Sequence, residues 1–372
     1  MSELFSCYAS AAFGLEGVVA SELRRLNMEN VVSENGGVRF FASAEDIMIC
    51  NLKLHCCEKV FVIAGEGTCL SFEDLFQLVY SLPWQNWAEG REAFNISAKC
   101  ARSKLMSPRD CQSITKKAIL EKIRHSKHQN TFPEDGDALP VQISVHSDHV
   151  KILINTSGEA LSKRGYRTWN GEAPIRESLA SALVQLSPWK MDRPLYDPCC
   201  GTGTILIEAA LLALHRAPGL HRSFAMEKMR LFHGTSFDEI RRRVSSESNV
   251  IQIPEISGSD IDPEAVDLAN RHIRQASVTN EVKIKTGRLQ EVQLAASSGV
   301  FICNPPYGER LSDQKSCRLL YRDLHSLKDR HPSWSMCVIS SDPAFERFFG
   351  RRADRKRRLY NGRLECTYYI YF

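Results

Sequence analysis

Two glycines in Asp197-Pro198-Cys199-Cys200-Gly201-Thr202-Gly203-Thr204 constrain this chain more than any other feature. The segment lies between a short apolar run, Leu195-Tyr196, and a strongly apolar stretch, Ile205–Leu214. Strand, tight turn and buried helix in that order form the unit from which open α/β sheets are built. Ligands of such sheets bind beyond the strand carboxyl ends, at turns of this kind. Gly201 and Gly203 have no Cβ, so a ligand can come close to the backbone. Two phosphate-binding readings fail. A P-loop ends in Gly-Lys-Ser/Thr, and no lysine follows Gly203. The dinucleotide fingerprint needs a third glycine where Leu206 stands. Asp197 would repel phosphate and suits a cationic ligand. A purely structural glycine turn is the bland alternative.

Two further segments end strands. Gly258-Ser259-Asp260-Ile261-Asp262-Pro263 puts Asp260 where its carboxylate can accept both hydroxyls of a ribose, with Ile261 against an adenine face. Asp262 before Pro263 reads as a helix N-cap with proline at the first position, a structural role. Phe301–Gly308 delivers Asn304, Pro305, Pro306 and Tyr307 into one turn, stiff because proline fixes φ. An exocyclic amine on a nucleobase is a poor nucleophile, since its lone pair is delocalised into the ring. The Asn304 side-chain oxygen and the Pro305 carbonyl can accept hydrogen bonds from that amine, favour a pyramidal nitrogen and aim its lone pair. Tyr307 can stack on a flipped base. No strong general base is needed, because the proton can leave after methyl transfer. Asn-Pro-Pro-Tyr alone could be an ordinary turn; its specificity comes from following the two acidic strand ends.

S-adenosylmethionine carries an ammonium and a sulfonium and no phosphate, which meets the constraint at Asp197. The cofactor set is therefore read as Asp197, Cys199, Gly201, Thr202, Gly203, Thr204, Asp260, Ile261 and Asn304. The catalytic set is Asn304, Pro305, Pro306 and Tyr307. No metal is expected. The 13 cysteines show no Cys-x-x-Cys spacing, and the adjacent pairs Cys56-Cys57 and Cys199-Cys200 are poorly placed to bridge. Reduced thiols in a cytoplasm fit best. The start, MSELFSCYAS, lacks a signal peptide's basic region and apolar run, and no stretch approaches the roughly 20 apolar residues that span a bilayer. A soluble, cytoplasmic protein without a membrane partner is expected.

Upstream, the first ~60 residues read as strand (Phe5–Ala9), helix (Leu15–Leu26), hairpin around Asn35-Gly36, helix (Asp46–Leu54) and strand (Lys59–Ala64). That order is the split βαβ, ferredoxin-like pattern. A helix (Phe72–Tyr80), a strand (Phe94–Ala101), a basic helix from Pro108 to about Arg124 and a hairpin (Val141–Val145, Val150–Ile154) follow, with a loop over Lys127–Asp137. After a linker at Thr168–Ala173 and a helix at Pro174–Leu186, strands at Glu255–Ile261, Val282–Lys285, Val300–Cys303 and Met336–Ser340 alternate with helices. This predicts a doubly wound α/β domain.

The net charge is only +4, but its distribution is uneven. Ten Lys and Arg oppose three acids between Arg91 and His128, and Arg351, Arg352, Arg355, Lys356, Arg357 and Arg358 surround Asp354 alone. Such clusters suit phosphate contacts, although each by itself reads equally well as a solvated face. Lys99, Arg102, Lys104, Lys116 and Lys117 are the expected RNA contacts.

The stretches LSKRGYR, APIRESLASAL, DPCCGTGTILIEAA, RAPGLHRSFAMEKM, GSDIDPEAVDLA, CNPPYGERL and LYNGRLEC together resemble class I RNA methyltransferases with an N-terminal THUMP domain. Within them they are similar to the bacterial group that methylates guanine N2 in large-subunit ribosomal RNA. The resemblance covers essentially the whole chain. It implies a Rossmann-like class I methyltransferase domain, a mixed doubly wound α/β sheet, over residues 191–372. Before it come a ferredoxin-like α+β segment (1–58), a THUMP RNA-binding domain (59–158) and a linker with a leading helix (159–190). It also implies that Asp197, Gly201 and Gly203 line the methionine end of the cofactor, Asp260 the ribose and Asn304–Tyr307 the base. Where many relatives have an acid touching adenine, this chain has Thr286-Gly287-Arg288-Leu289-Gln290. Gln290 or backbone groups are expected to substitute. The expected activity is methylation of guanine N2 in ribosomal RNA. The alternatives are a transfer RNA guanine-N2 methyltransferase and a non-catalytic RNA-binding assembly factor.

Overall fold

A computed structural model describes residues 4–128, 131–167, 175–247, 252–307 and 311–372. The linker expected at 168–173 and Pro174 lie outside the described residues. The first sheet contains β1 (Phe5–Ser10), β2 (Glu29–Glu34), β3 (Gly37–Ala42), β4 (Lys59–Thr68), β5 (Ala93–Ala101), β6 (Ala138–His146) and β7 (His149–Asn155). Their order is β2-β3-β1-β4-β7-β6-β5, antiparallel throughout except for the β5–β6 pair.

Alternation sets the two faces. Leu139, Val141, Ile143 and Val145 of β6 are buried, while the residues between them are half-exposed. The buried face joins Val60, Val62 and the apolar stripes of helices Glu16–Arg25, Ala44–Lys53, Phe72–Ser81 and Pro108–Lys127 in one core. The opposite face carries only a small cluster, Tyr8, Phe61 and Leu153, with Ile63 against it. Capping fixes where two helices begin. Ser43 with Asp46 and Ser71 with Asp74 form capping boxes, so the second helix opens at Ala44, before the expected Asp46. The Pro108 helix runs on to Lys127, past the expected Arg124.

The ferredoxin-like unit and the strands after it are not merely packed side by side. β4 runs past the expected Ala64 to Thr68. Its first residues pair with β1, and after a register shift between Ile63 and Gly65 it continues along β7. One strand therefore serves both halves of a continuous sheet, and the boundary expected at 58/59 falls at its first residue.

The second sheet holds β8 (Leu195–Asp197), β9 (Ile256–Asp260), β10 (Val282–Thr286), β11 (Gly299–Cys303), β12 (Trp334–Ser340), β13 (Arg355–Asn361) and β14 (Leu364–Tyr371). The order is β10-β9-β8-β11-β12-β14-β13, with β8 to β12 parallel and β14 antiparallel to both neighbours. The mixed, doubly wound class is as expected. The β13–β14 hairpin was not anticipated, because the arginines of β13 hide its alternation. Asn361-Gly362 between the strands was its available signal.

The helix Thr204–Ala213 has no solvent face; each of its residues is buried, Glu208 included. Glu208 is reached by Arg164 at 3.3 Å, the Tyr166 hydroxyl at 3.1 Å, the Ser181 hydroxyl, and His55 Nδ1 at 3.8 Å. Arg164 also donates to the carbonyls of Leu161 and His55. Burial opposes the Glu208 charge, but Arg164, His55 and Ser181 overcome it and hold the carboxyl down at about 2. Because the folded value is depressed, this stabilisation is present above the ordinary carboxylate range. It is lost as pH falls from about 4.3 through about 2. Glu208→Gln, which strands the buried Arg164, is expected to cost about 3–5 kcal/mol in urea unfolding, and Arg164→Met with Glu208→Leu to regain most of it. A double variant as unstable as the sum of its singles would refute this pairing.

Candidate active site

The strand order reverses at β8, with β9 and β10 on one side and β11 and β12 on the other. Such a switch point opens a crevice at the carboxyl ends. Asp197 lies opposite Gly258, and Tyr196 opposite Phe301, so the ends of β8, β9 and β11 meet at one edge. Asp197, Asp260 and Asn304 share that edge.

The turn after β8 is held by its neighbours. Cys200 N–H donates to the Ser259 carbonyl at 3.1 Å, and Gly203 N–H to Cys200 O at 2.8 Å. Asp260 orients both adjoining loops: Oδ2 accepts Gly201 N–H at 2.7 Å and Oδ1 accepts Asp262 N–H at 3.0 Å. The remaining lone pairs of Asp260 are still available to ligand hydroxyls. Gly201 and Gly203 have φ of +50° and +78°, a region L side chains rarely adopt. A Cβ on Gly201 would meet nothing within 4 Å, so its backbone borders open space. Ile261, 64% exposed, presents an apolar side chain at the rim.

Asp197 is 1% exposed, and its Oδ1 accepts Cys199 N–H at 3.0 Å. Burial pushes its carboxyl well above the usual range; the Cys199 N–H pulls it down and the nearby Asp260 adds to the rise. A cation beside it would reverse that balance.

At the third strand end Pro305 is buried, Pro306 exposed, and Asn304 and Tyr307 half-buried. The Tyr307 hydroxyl donates to Asn304 Oδ1, and burial followed by the Cys366 thiol raises its pKa. The amide oxygen expected to receive a substrate amine is thus already an acceptor for a neighbour, with one lone pair left.

Several expected residues also have partners within the fold. Thr204 is buried and its hydroxyl accepts Arg167 Nη2 at 2.7 Å, which leaves the hydroxyl proton to donate elsewhere. Arg167 also sits 3.5 Å from Glu177, so these two residues brace the turn at Thr204. His272, buried, lies 3.3 Å from Thr202 O. The Gln290 side-chain N–H donates to Asp323 at 2.7 Å, which fixes the amide and leaves its carbonyl oxygen as the acceptor that would replace the adenine-contacting acid. Gly258, quoted in its motif without a role, has a steric one. A Cβ there would stand 2.7 Å from Asp197 O and from Leu206 Cδ1.

The five basic residues do not share one face. Lys99 is exposed on β5 beside Ser97 and Ala101, while Phe94, Ile96, Ala98 and Cys100 turn toward the core. Lys116 and Lys117 stand on the helix layer, where Lys116 pairs with Glu134 at 2.6 Å and Lys117 approaches Glu121 at 3.8 Å. Arg102 and Lys104 are exposed in the connection between them.

Residues 164–370 match the family model of the RMKL-like methyltransferase domain, residues 6–61 that of the RlmL ferredoxin-like domain and residues 69–155 that of the THUMP domain. The chain is 36% identical to the "Putative RNA methyltransferase YpsC" of Bacillus subtilis, over 99% of this chain and 96% of that protein. It is 32% identical to the ribosomal RNA large subunit methyltransferase K/L of Shewanella amazonensis, over 99% of this chain but 53% of that protein, about half its length. The crystal structure of SMU.472 complexed with S-adenosylhomocysteine is similar at a TM-score of 0.92 and 38% identity, covering 100% of this chain and 99% of that one.

Two outcomes follow from this geometry. Gly258→Ala should force β8 from β9 and cost about 1–3 kcal/mol in thermal or urea unfolding, with weaker binding of S-adenosylhomocysteine. With its pKa raised, Asp197 stabilises the ligand-free fold while protonated, and that contribution is lost as pH rises through the raised value. An amino-acid ammonium favours the carboxylate, so S-adenosylhomocysteine should release a proton on binding. Its affinity should rise with pH up to that value and level off above it. Titration calorimetry in two buffers of different ionisation heat counts the proton. The same count in Asp197→Asn would place the ammonium elsewhere.

Proposed function

Since this chain belongs to the RMKL-like methyltransferase family, we propose that it methylates the N2 amino group of a guanine in 23S ribosomal RNA. The chemistry is that of an S-adenosylmethionine-dependent RNA methyltransferase. One observation carries the site reading: Asp197, Asp260 and Asn304 converge on one sheet edge at the switch point. Ribosomal RNA is favoured over transfer RNA because the K/L relative is named for the large subunit. The single turn of the DPCCGTGT type implies one methylation activity.

The residues fit the cofactor. Gly201 borders open space, Asp260 keeps acceptor capacity, Ile261 offers an apolar face, and Asp197 is a buried carboxyl whose charged form has no cationic partner among the described residues. S-adenosylmethionine, when bound, supplies an electrophilic methyl on sulfur. The chain's task is to present a nitrogen lone pair in line with it. As the guanine enters, its amine donates to Asn304 Oδ1, and Pro305 O accepts the second hydrogen. Both acceptors localise the lone pair that would otherwise be shared with the ring. The Tyr307 ring is placed to stack on the base. After transfer the methylated nitrogen is cationic and gives its extra proton to water, so no titrating base is required.

The test is labelled methyl transfer to 23S ribosomal RNA, transfer RNA and duplex DNA, followed by nucleoside mass spectrometry. N2-methylguanosine in ribosomal RNA alone is expected. Label confined to transfer RNA would keep the mechanism and overturn the substrate. Asn304→Ala is expected to lower kcat about 10²–10³-fold, a much larger change than in S-adenosylhomocysteine affinity. Retained turnover would remove Asn304 from the chemistry. Lys99→Ala, Lys104→Ala and Lys117→Ala together should reduce the slope of log affinity against log salt by about 2–3. An unchanged slope would make these lysines a solvated face.

A further inference from the structure

The arginine-rich stretch near residue 355 has no part in the chemistry above, and the fold gives it a definite address. β14 is antiparallel to β12, with Thr367 opposite Ser340 at the carboxyl end of β12. The β13–β14 turn, 361–364, therefore projects from the same edge as Asn304. Cys366, just inside that turn, contacts Tyr307. β13 is an edge strand, and Arg355, Lys356, Arg357 and Arg358 are all exposed along it.

The β1-to-helix loop of the N-terminal unit meets this strand. Gly14 O accepts Arg357 Nη2 at 2.8 Å, and Gly14 N–H donates to Glu16 at 2.8 Å. At φ +88° a Cβ on Gly14 would stand 2.7 Å from Arg358 O, so the two backbones touch. This anchored loop displays Phe13, 51% exposed, edge-to-face with Tyr360 at 5.6 Å and 5.9 Å from the Arg358 guanidinium. Arg352, Arg355 and Arg363 have no carboxylate partner among the described residues.

We propose that Phe13, Tyr360 and Arg358 form a stacking platform for an unpaired nucleotide next to the methylated base. An exposed ring on a braced loop suits a base face, and Arg358 beside it, which also lies 3.8 Å from Glu365, with Arg355 further along β13, suits the adjoining phosphates. That charge favours RNA over a second copy of this basic chain. The platform lies across the contact between the N-terminal unit and the catalytic sheet, so it positions substrate only when both are present. It rests on the reading that RNA is the substrate.

The experiment measures binding and methylation of 23S ribosomal RNA transcripts by Phe13→Ala, Phe13→Trp and Arg355→Ala, with S-adenosylhomocysteine affinity as the check on folding. Phe13→Ala is expected to raise Kd and KM for the transcript about tenfold with an unaltered salt slope, and Phe13→Trp to restore both. Arg355→Ala should lower the slope by about one. Equal Kd for wild type and Phe13→Ala, while wild type methylates the transcript, overturns the platform and leaves the function standing. A Phe13-dependent dimer in sedimentation, with RNA binding unchanged, also overturns it. Failure of the wild type to methylate any RNA overturns the functional reading itself, and the platform with it.

Discussion

Glu208 is a full charge with no access to water, one turn into the helix that starts at the glycine turn. Its partners are four residues from three places: His55 after the second helix, Arg164 and Tyr166 from the connecting segment, and Ser181 from the leading helix. A buried ion survives only if its hydrogen bonds are met, so these three segments and the helix of Glu208 have one mutual arrangement in which all are satisfied. The N-terminal sheet, the connection and the cofactor turn are thereby fixed relative to one another. The geometry of the site depends on that, because residues that would grip RNA and residues that would act on it lie on different halves of the chain.

Two aspartates at neighbouring strand ends show how environment divides a single chemistry. Asp260 meets backbone N–H groups through both oxygens and organises the loops around it. Asp197 is buried, with one N–H and, among the described residues, no cation beside it. The first shapes the pocket whether or not a ligand is present. The second holds an electrostatic deficit that a positively charged ligand relieves, which is a form of selectivity against phosphate-bearing nucleotides.

Much of this was legible beforehand, for identifiable reasons. The turns at Asp197, Asp260 and Asn304 are local, and glycine, proline and short acidic residues at strand ends have few other uses. The ferredoxin-like order and the parallel strands follow from hydrophobic period. What escaped was set by distant partners. Asp323 of helix Leu311–Arg330 meets the Gln290 side-chain nitrogen, and Arg167 meets the Thr204 hydroxyl oxygen, partners that no local pattern names. The β13–β14 hairpin escaped because an exposed edge strand tolerates a run of arginines that erases the apolar alternation.

Local sequence is enough for the class of sheet, the three turns and the ligand chemistry they suit, since these depend on backbone preferences and charge within a few residues. Long-range packing set the rest: β4 joins the two N-terminal halves, Gly258 must lack a side chain, and Phe13 stands beside Arg358. Each of these is a contact between segments far apart in the chain, fixed by packing and by the need to satisfy buried polar groups, and no local pattern encodes the partner.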